Sequence, residues 1–190
     1  MKKYIVLMAA ALVSLTSCSV YTDVEAGGTA VEDMAGTWTV TISQCVDEYY
    51  AMIGAGDDPD LMNCSEVELE ALEWEDMFGE GNQEMLTSNT AANVNTEMLF
   101  IDNYWGATFK CAIDYAALTF ECAETEVYDG CTAFIKYGKI ERDNVVTPSG
   151  RTVDSITAYI YYSDYAYWMG YDFTVLKISG YRYTGYTEDL

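Results

Sequence analysis

Short runs rich in β-branched and aromatic residues, separated by turns, dominate this chain and limit the folds it can adopt. In residues 36–43, Trp38, Val40 and Ile42 alternate with polar residues, which is the period of a half-buried strand. Runs of similar composition follow at 85–90, 96–102, 107–113, 118–123, 132–141, 155–162 and 173–182. The sequence therefore predicts a mainly β fold in which about eight antiparallel strands close into an up-and-down barrel with room for side chains or one small ligand.

The segment after the first strand departs from this pattern and predicts a helix. Residues 44–63 are acidic and contain glycine and proline, which indicates a loop. Ser65 and Glu68 then have the S-x-x-E spacing of a capping box, and apolar residues recur in the stretch that follows. We expect one inserted helix near residues 66–78.

The start of the chain has the features of an export signal. Lys2 and Lys3 precede an apolar run at 4–15, which is too short to span a bilayer as a stable helix. The next residues, Leu15-Thr16-Ser17-Cys18, resemble a lipobox. This resemblance implies cleavage before Cys18, lipidation of Cys18 and attachment to a bacterial membrane. An ordinary signal peptide with an incidental cysteine is the alternative.

The lipobox resemblance divides the chain into three parts. A lipoprotein signal peptide occupies 1–17, a lipidated tether occupies 18–31, and a single β-barrel domain occupies 32–190. The implied location is the cell envelope, with the outer membrane favoured because Ser19 does not resemble an inner-membrane retention signal. The side of that membrane and the oligomeric state stay open.

The acidic character of the chain excludes several functions. It has 31 Asp and Glu against 9 Lys and Arg, a formal net charge of −22, so we expect no nucleic-acid partner. It contains no histidine, which excludes Ser-His-Asp and Cys-His nucleophile systems and removes the commonest zinc ligand. The acidic cluster at 57–60 can attract cations but lacks the spacing of an EF-hand loop. We predict no metal site and no cofactor.

Five cysteines lie beyond the lipobox: Cys45, Cys64, Cys111, Cys122 and Cys131. An exported chain meets an oxidising compartment, so disulfides can form. Cys111 and Cys122 flank a predicted hairpin turn and can face each other. Cys45 and Cys64 bracket the acidic loop and can close it. Buried free thiols are the alternative.

Residues on the first and last predicted strands of the barrel resemble a known structural signature. Gly36-Thr37-Trp38 on the first strand resembles the G-x-W motif of lipocalins and the wider calycin superfamily. In that superfamily a late arginine packs over the tryptophan at the closed end of the barrel. Arg182 is the matching residue here, and the role that the resemblance implies for Gly36, Trp38 and Arg182 is structural.

A wider set of motifs resembles the family of bacterial outer-membrane lipoproteins labelled "lipid-binding putative hydrolase". The matching stretches are 29–38, 87–91, 95–98, 147–150, 154–156, 178–186 and 188–189. The chain departs from this pattern at about 44–81. The resemblance implies a calycin-like barrel that binds a hydrophobic or lipid-like molecule. It brings no catalytic residue to this chain.

Aromatic residues in two turns are the candidate ligand-binding residues. Tyr165, Tyr167, Trp168 and Tyr171 crowd the turn before the last strand, and Tyr104 with Trp105 occupies an earlier turn. These rings can line the entrance of a hydrophobic pocket, or the turn at 165–173 can bind a glycan or a protein. The alternative is that these rings form a hydrophobic lid that closes the end of the barrel and binds no ligand. A hydrolase that uses two carboxylates is a third function, although no pair of acidic residues is marked by the sequence.

Overall fold

The computed structural model describes residues 28–57, 59–79, 82–163 and 173–189. The predicted signal peptide, Cys18 and most of the predicted tether lie outside these residues. The division of the chain into signal, tether and domain therefore stays a prediction. Within the described part of the chain, no helix combines the length and apolar composition needed to cross a membrane.

Nine strands make up one antiparallel sheet in the described part of the chain. They are β1 (Gly36–Cys45), β2 (Trp74–Asp76), β3 (Gln83–Asn89), β4 (Glu97–Asp102), β5 (Ala107–Asp114), β6 (Thr119–Tyr128), β7 (Cys131–Val146), β8 (Thr152–Tyr162) and β9 (Thr174–Arg182). From β3 to β9 each strand pairs with the next, and β9 pairs back with β1, which closes the sheet. The predicted mainly β, eight-stranded up-and-down barrel is confirmed, with β2 as one short extra strand.

The extra strand β2 and the barrel strand β3 lie on the same edge of β1. Residues 43–45 of β1 pair with β2 and residues 36–40 pair with β3, while β9 occupies the other edge. The chain therefore leaves this edge after Asp76 and returns to it at Gln83. Met77, the first residue of this excursion, donates its amide to the carbonyl oxygen of Ile42 at 2.9 Å. This bond keeps the excursion near the end of β1.

Large side chains fill the middle of the barrel. Trp38, Phe100, Phe109 and Phe120 are buried in the inner apolar cluster. The ring centroid of Phe100 lies 6.1 Å from that of Phe109 and 5.8 Å from that of Phe120. Gly138 of β7 makes room for Phe120, because a Cβ at Gly138 would overlap the phenyl ring. The middle of the barrel is therefore a packed core rather than a channel.

A turn before β1 closes one end of the barrel. Val31 and Met34 of this turn are fully buried in the inner cluster. Beside them Arg182, the last residue of β9, lies over the indole of Trp38, with its guanidinium carbon 4.6 Å from the ring centroid. This distance is typical of a cation–π contact.

Hydrogen bonds hold the guanidinium of Arg182 in place. It donates to the carbonyl oxygen of Ala35 at 2.6 Å and to Asp154 Oδ2 at 2.9 Å. Gly36 leaves the space that this arrangement needs, since a Cβ there would overlap Nη1 of Arg182. The three signature residues singled out in the sequence thus meet at the closed end.

The segment between β1 and β2 packs on the outside of the barrel. It contains two helices, α1 (Val46–Met52) and α2 (Glu66–Ala71). Leu61 and Leu69 of this segment are buried together with Tyr159, Tyr161 and Val175 of β8 and β9. This second apolar cluster fixes the inserted segment to the barrel wall.

The predicted helix begins as expected but is shorter than expected. The capping box is present, because the amide of Ser65 donates to Glu68 Oε2 at 2.8 Å and the Ser65 hydroxyl accepts from the amide of Glu68. The helix ends at Ala71 and does not continue to residue 78. Residues from Trp74 onward pair instead with β1, whose edge offers hydrogen bonds that no helical pattern in the sequence reveals.

A second helix occupies part of the predicted acidic loop. Residues 46–52 form α1, which follows directly from β1 without a side-chain cap. The buried carboxylate of Glu48 accepts a hydrogen bond from the amide of Val175 at 3.4 Å. The helix therefore depends on a contact with β9, which local sequence signals could not indicate.

Candidate ligand-binding site

A cavity of about 240 Å³ lies at the end of the barrel opposite the closed end. We call it the mouth cavity. The excursion after β2, the turn between β4 and β5, and the ends of β6, β8 and β9 supply its lining residues: Met77, Phe78, Tyr104, Trp105, Tyr128, Tyr162, Thr174 and Leu176. Its walls are predominantly apolar and aromatic, as in most small-molecule sites.

Aromatic rings that pack against one another form one wall of the mouth cavity. The ring centroid of Tyr104 lies 4.4 Å from that of Phe78 and 4.6 Å from that of Trp105. Trp105 in turn lies 5.6 Å from Tyr162. This mutual packing holds the rings in place, so the wall is largely formed before a ligand arrives.

A buried carboxyl group shapes the turn that carries Tyr104 and Trp105. Asp102 is fully buried at the end of β4, and its Oδ1 accepts hydrogen bonds from the amides of Tyr104 at 2.8 Å and Trp105 at 3.2 Å. Its Oδ2 accepts a hydrogen bond from the hydroxyl of Tyr162 at 2.7 Å. Burial raises the pKa of Asp102, and these hydrogen bonds oppose the rise only in part. The same burial, followed by the negative charge of Asp102, raises the pKa of Tyr162.

The inner face of the barrel changes from apolar to polar just below the mouth cavity. Side-chain alternation places Thr174 on the same face of β9 as Leu176 and Ile178, which belong to the inner cluster. Thr174 is 1% exposed, and its hydroxyl has no hydrogen-bond partner among the described residues. The Tyr162 hydroxyl donates a hydrogen bond to Asp102, whereas the hydroxyl of Thr174, the residue paired with Tyr162 on β9, makes none within the described part of the chain.

Comparison with protein families gives one match that covers most of the chain. A family model described as "lipid-binding putative hydrolase" matches residues 23–187. The chain belongs to this family. A comparison with curated proteins finds no match.

The structure places part of the predicted ligand-binding set in the mouth cavity of this family member. Tyr104 and Trp105 line the cavity. The remaining predicted residues, Tyr165, Tyr167, Trp168 and Tyr171, lie outside the described residues. The described strand ends on either side of that turn, Tyr162 and Thr174, also line the cavity.

Several cavity residues were not found by sequence reasoning. Met77 and Phe78 were assigned to a helix, although they belong to the excursion between β2 and β3. Tyr162 and Thr174 lie at strand ends and could have been found from the period of two, because they share a barrel face with Ile160 and Leu176. Asp102 could have been found in the same way, because it alternates with Met98 and Phe100 on the buried face of β4.

The predicted cysteine pairs differ in how the structure places them. Cys111 and Cys122 are buried on the inner face of adjacent strands, and the Cys122 thiol donates to the carbonyl oxygen of Lys110 at 3.5 Å. The register Ala112↔Glu121 places them opposite each other on β5 and β6. Cys45 is buried in the outer cluster, and Cys64 packs against that cluster. All are thiols in this structure, so both disulfides stay predictions.

A larger groove of about 510 Å³ lies on the outer wall of the barrel. Acidic side chains such as Glu66, Asp114 and Glu121 contribute to its lining. Lys139 Nζ at this groove lies 2.8 Å from Glu70 Oε1 and 3.2 Å from Glu66 Oε1, and hydrogen bonding to Glu70 raises the pKa of the lysine. These charged side chains, which the described lining of the mouth cavity lacks, suit a hydrophobic ligand less well. Among the described residues, no group of three or more acidic or cysteine side chains is arranged to hold a metal ion.

Proposed function

We propose that this lipid-binding family member binds a small hydrophobic or lipid-like molecule in its mouth cavity. The observation that carries the proposal is the preformed aromatic wall of Phe78, Tyr104 and Trp105 around an apolar space. Transfer of apolar surface from water into such a space contributes about 25 cal/mol per Å².

The packed barrel core limits how deeply the ligand enters. Phe100 and Phe109 fill the space below the cavity, and about 240 Å³ is slightly smaller than most pockets for drug-sized ligands. A short acyl chain or one ring system fits this volume better than a whole phospholipid. The rest of a longer ligand would extend out of the barrel.

A calycin-like relationship and a membrane anchor complete the proposal. The contact of Arg182 with Trp38 beside Gly36 supports a calycin-like closure of the barrel. The lipobox ending at Cys18 supports a lipid anchor in the cell envelope, with the outer membrane favoured. The first described residues lie at the closed end of the barrel, so the anchored chain would reach the barrel from the end opposite the mouth cavity.

The described residues bear on the two alternative functions unequally. The turn at 165–173, which the glycan- or protein-binding alternative uses, lies outside the described residues except for Phe173, so that alternative stays open. Hydrolysis by two carboxylates needs acids on both sides of the scissile bond. The described lining residues of the mouth cavity include no acidic side chain, and Asp102 below them already accepts three hydrogen bonds.

The test combines native mass spectrometry with displacement of a neutral fluorescent probe, N-phenyl-1-naphthylamine. A discrete extra mass that leaves on denaturation, or displacement of the probe by lipids, supports the proposal.

Replacement of Trp105 by alanine should weaken binding about tenfold, since it removes buried apolar contact. Tyr183→Ala, which removes an exposed ring beyond the closed end, should leave binding unchanged. A bare polypeptide mass together with no probe binding would contradict the proposal, and hydrolysis of chromogenic esters would favour the enzymatic alternative.

A further inference from the structure

The unpartnered hydroxyl of Thr174 is the most informative polar group at the inner end of the mouth cavity, where its oxygen is closed to water. A buried hydroxyl without a hydrogen bond lowers stability, and native proteins rarely keep one without a reason. Thr174 lines the cavity from the inner face of β9, beside Leu176. The described protein groups around it leave its donor and acceptor capacity unused.

The neighbouring polar groups do not compete for this hydroxyl. Asp102 accepts hydrogen bonds from two amides and from the Tyr162 hydroxyl. The hydroxyl of Tyr162 donates its hydrogen bond to Asp102. A ligand group reaches this hydroxyl only when the Thr174 side chain turns towards the cavity, and it would then complete the hydrogen bonding of this polar layer without breaking a bond within it.

The charges around the cavity decide which kind of ligand group fits. No lysine or arginine is among the described lining residues, and a buried carboxyl group lies directly below them. Three of the cationic side chains illustrate where such charges lie: Lys136 and Lys177 contact aromatic rings of the outer cluster, and Arg182 lies at the closed end. An anionic headgroup would find no counter-charge here, in a chain with a formal net charge of −22.

We propose that the ligand of the mouth cavity is a hydrophobic molecule with an uncharged hydroxyl group, and that this group hydrogen bonds to the side chain of Thr174. The inference rests on the proposed function of the cavity and adds the ligand class to it. Fatty alcohols and other neutral amphiphiles belong to this class. Fatty-acid anions and phospholipids do not.

The experiment compares three ligands of equal chain length on the purified protein. Octane, 1-octanol and octanoate compete separately with N-phenyl-1-naphthylamine at neutral pH, on wild type and on Thr174→Val and Thr174→Ser. The valine variant keeps the shape of threonine and removes the hydroxyl, whereas the serine variant keeps the hydroxyl. We expect 1-octanol to bind best to wild type. Thr174→Val should weaken 1-octanol about three- to tenfold, the range of one hydrogen bond, and should leave octane unchanged. Thr174→Ser should retain the preference for 1-octanol.

The outcomes separate this inference from the proposed function. Equal binding of all three ligands, or the tightest binding by octanoate, overturns the inference while the cavity keeps its hydrophobic role. An unchanged affinity of Thr174→Val for 1-octanol also overturns it. Failure of all three ligands to displace the probe overturns the proposed function and this inference with it. The wild-type ligand series alone decides the ligand class if Thr174→Val does not fold.

Discussion

Arg182 carries more contacts at the closed end than a surface arginine of this chain does. Its guanidinium lies over Trp38 and donates hydrogen bonds to Ala35 O, Asp33 O and Asp154 Oδ2. Lysine has no planar fork and cannot make these contacts at once. We expect Arg182→Lys to lower the free energy of unfolding by about 2 kcal/mol, measured by urea denaturation.

A surface arginine provides the matched control for this variant. Arg142 lies half exposed and forms an ion pair with Asp33 at 2.7 Å. Arg142→Lys should change stability by less than about 0.5 kcal/mol, because exposed ion pairs contribute little. Equal effects of the two substitutions would show that the closed end does not depend on the geometry of Arg182.

Asp102 predicts a specific dependence of stability on pH. Its pKa is raised in the folded state by burial, so the folded chain holds the carboxyl proton more tightly than the unfolded chain does. Ionisation of Asp102 therefore opposes folding as pH rises from the unfolded-state pKa, about 3.9, through the raised folded value. Asparagine can accept from the amides of Tyr104 and Trp105 and can donate to the Tyr162 oxygen without this penalty.

We therefore expect the stability of Asp102→Asn, relative to wild type, to rise between about pH 4 and pH 7. Each unit of pKa shift corresponds to about 1.4 kcal/mol of this difference. Urea denaturation of both proteins across that range measures it. A difference that stays constant with pH would mean that Asp102 does not titrate in this interval.

The hairpin of β5 and β6 is an element whose covalent state affects stability. Cys111 and Cys122 lie opposite each other on these strands, and both are buried in the inner cluster. In protein exported to an oxidising compartment we expect them to form a disulfide, which should stabilise the fold by about 2–3 kcal/mol for a loop of roughly ten residues. Alkylation of free thiols under denaturing conditions, before and after reduction, counts the bond.

Replacement of Cys122 by serine should abolish this bond, whereas Cys131→Ser should preserve it. Cys131 is also buried in the inner cluster, so it controls for the loss of a buried sulfur. Alkylation of both Cys111 and Cys122 in unreduced wild-type protein would contradict the expected disulfide.

At the scale of the whole barrel, the packed core and the mouth cavity share one interior, so the size of the core side chains limits the volume of the cavity. Replacement of Phe100 by alanine would open space beneath the mouth cavity, where its ring packs on Phe109 and Phe120. We expect a loss of about 3–5 kcal/mol of stability and a gain in affinity for 1-dodecanol relative to 1-octanol, since a longer chain can then enter. Probe displacement measures the affinity ratio, and urea denaturation measures the stability.

The matched control lies on the outer wall of the barrel. Phe134 stacks on Tyr161 at 4.4 Å between ring centroids, outside the interior. Phe134→Ala should destabilise the fold without changing the ratio of the two affinities. The same ratio in Phe100→Ala as in wild type would mean that ligands do not extend towards the core.

The sequence by itself determined the barrel, the start of α2 and the residues of the closed end. The alternation around Trp38 and the spacing of Ser65 and Glu68 are short-range patterns, whereas the pairing of Trp38 with Arg182 was implied by the resemblance to the calycin signature. Side-chain period and capping chemistry act within a few residues, so they can be recognised without knowledge of the fold.

Only the tertiary structure decided the secondary structure of the inserted segment and the composition of the mouth cavity. Trp74 became part of a strand because β1 offered a free edge, and residues 46–52 became a helix that contacts β9. Asp102 and Thr174 are far apart in sequence, and barrel closure brings both to the inner face below the mouth. Burial, strand-edge pairing and unsatisfied hydrogen bonds are properties of assembled strands, and for that reason no local pattern in the chain contains them.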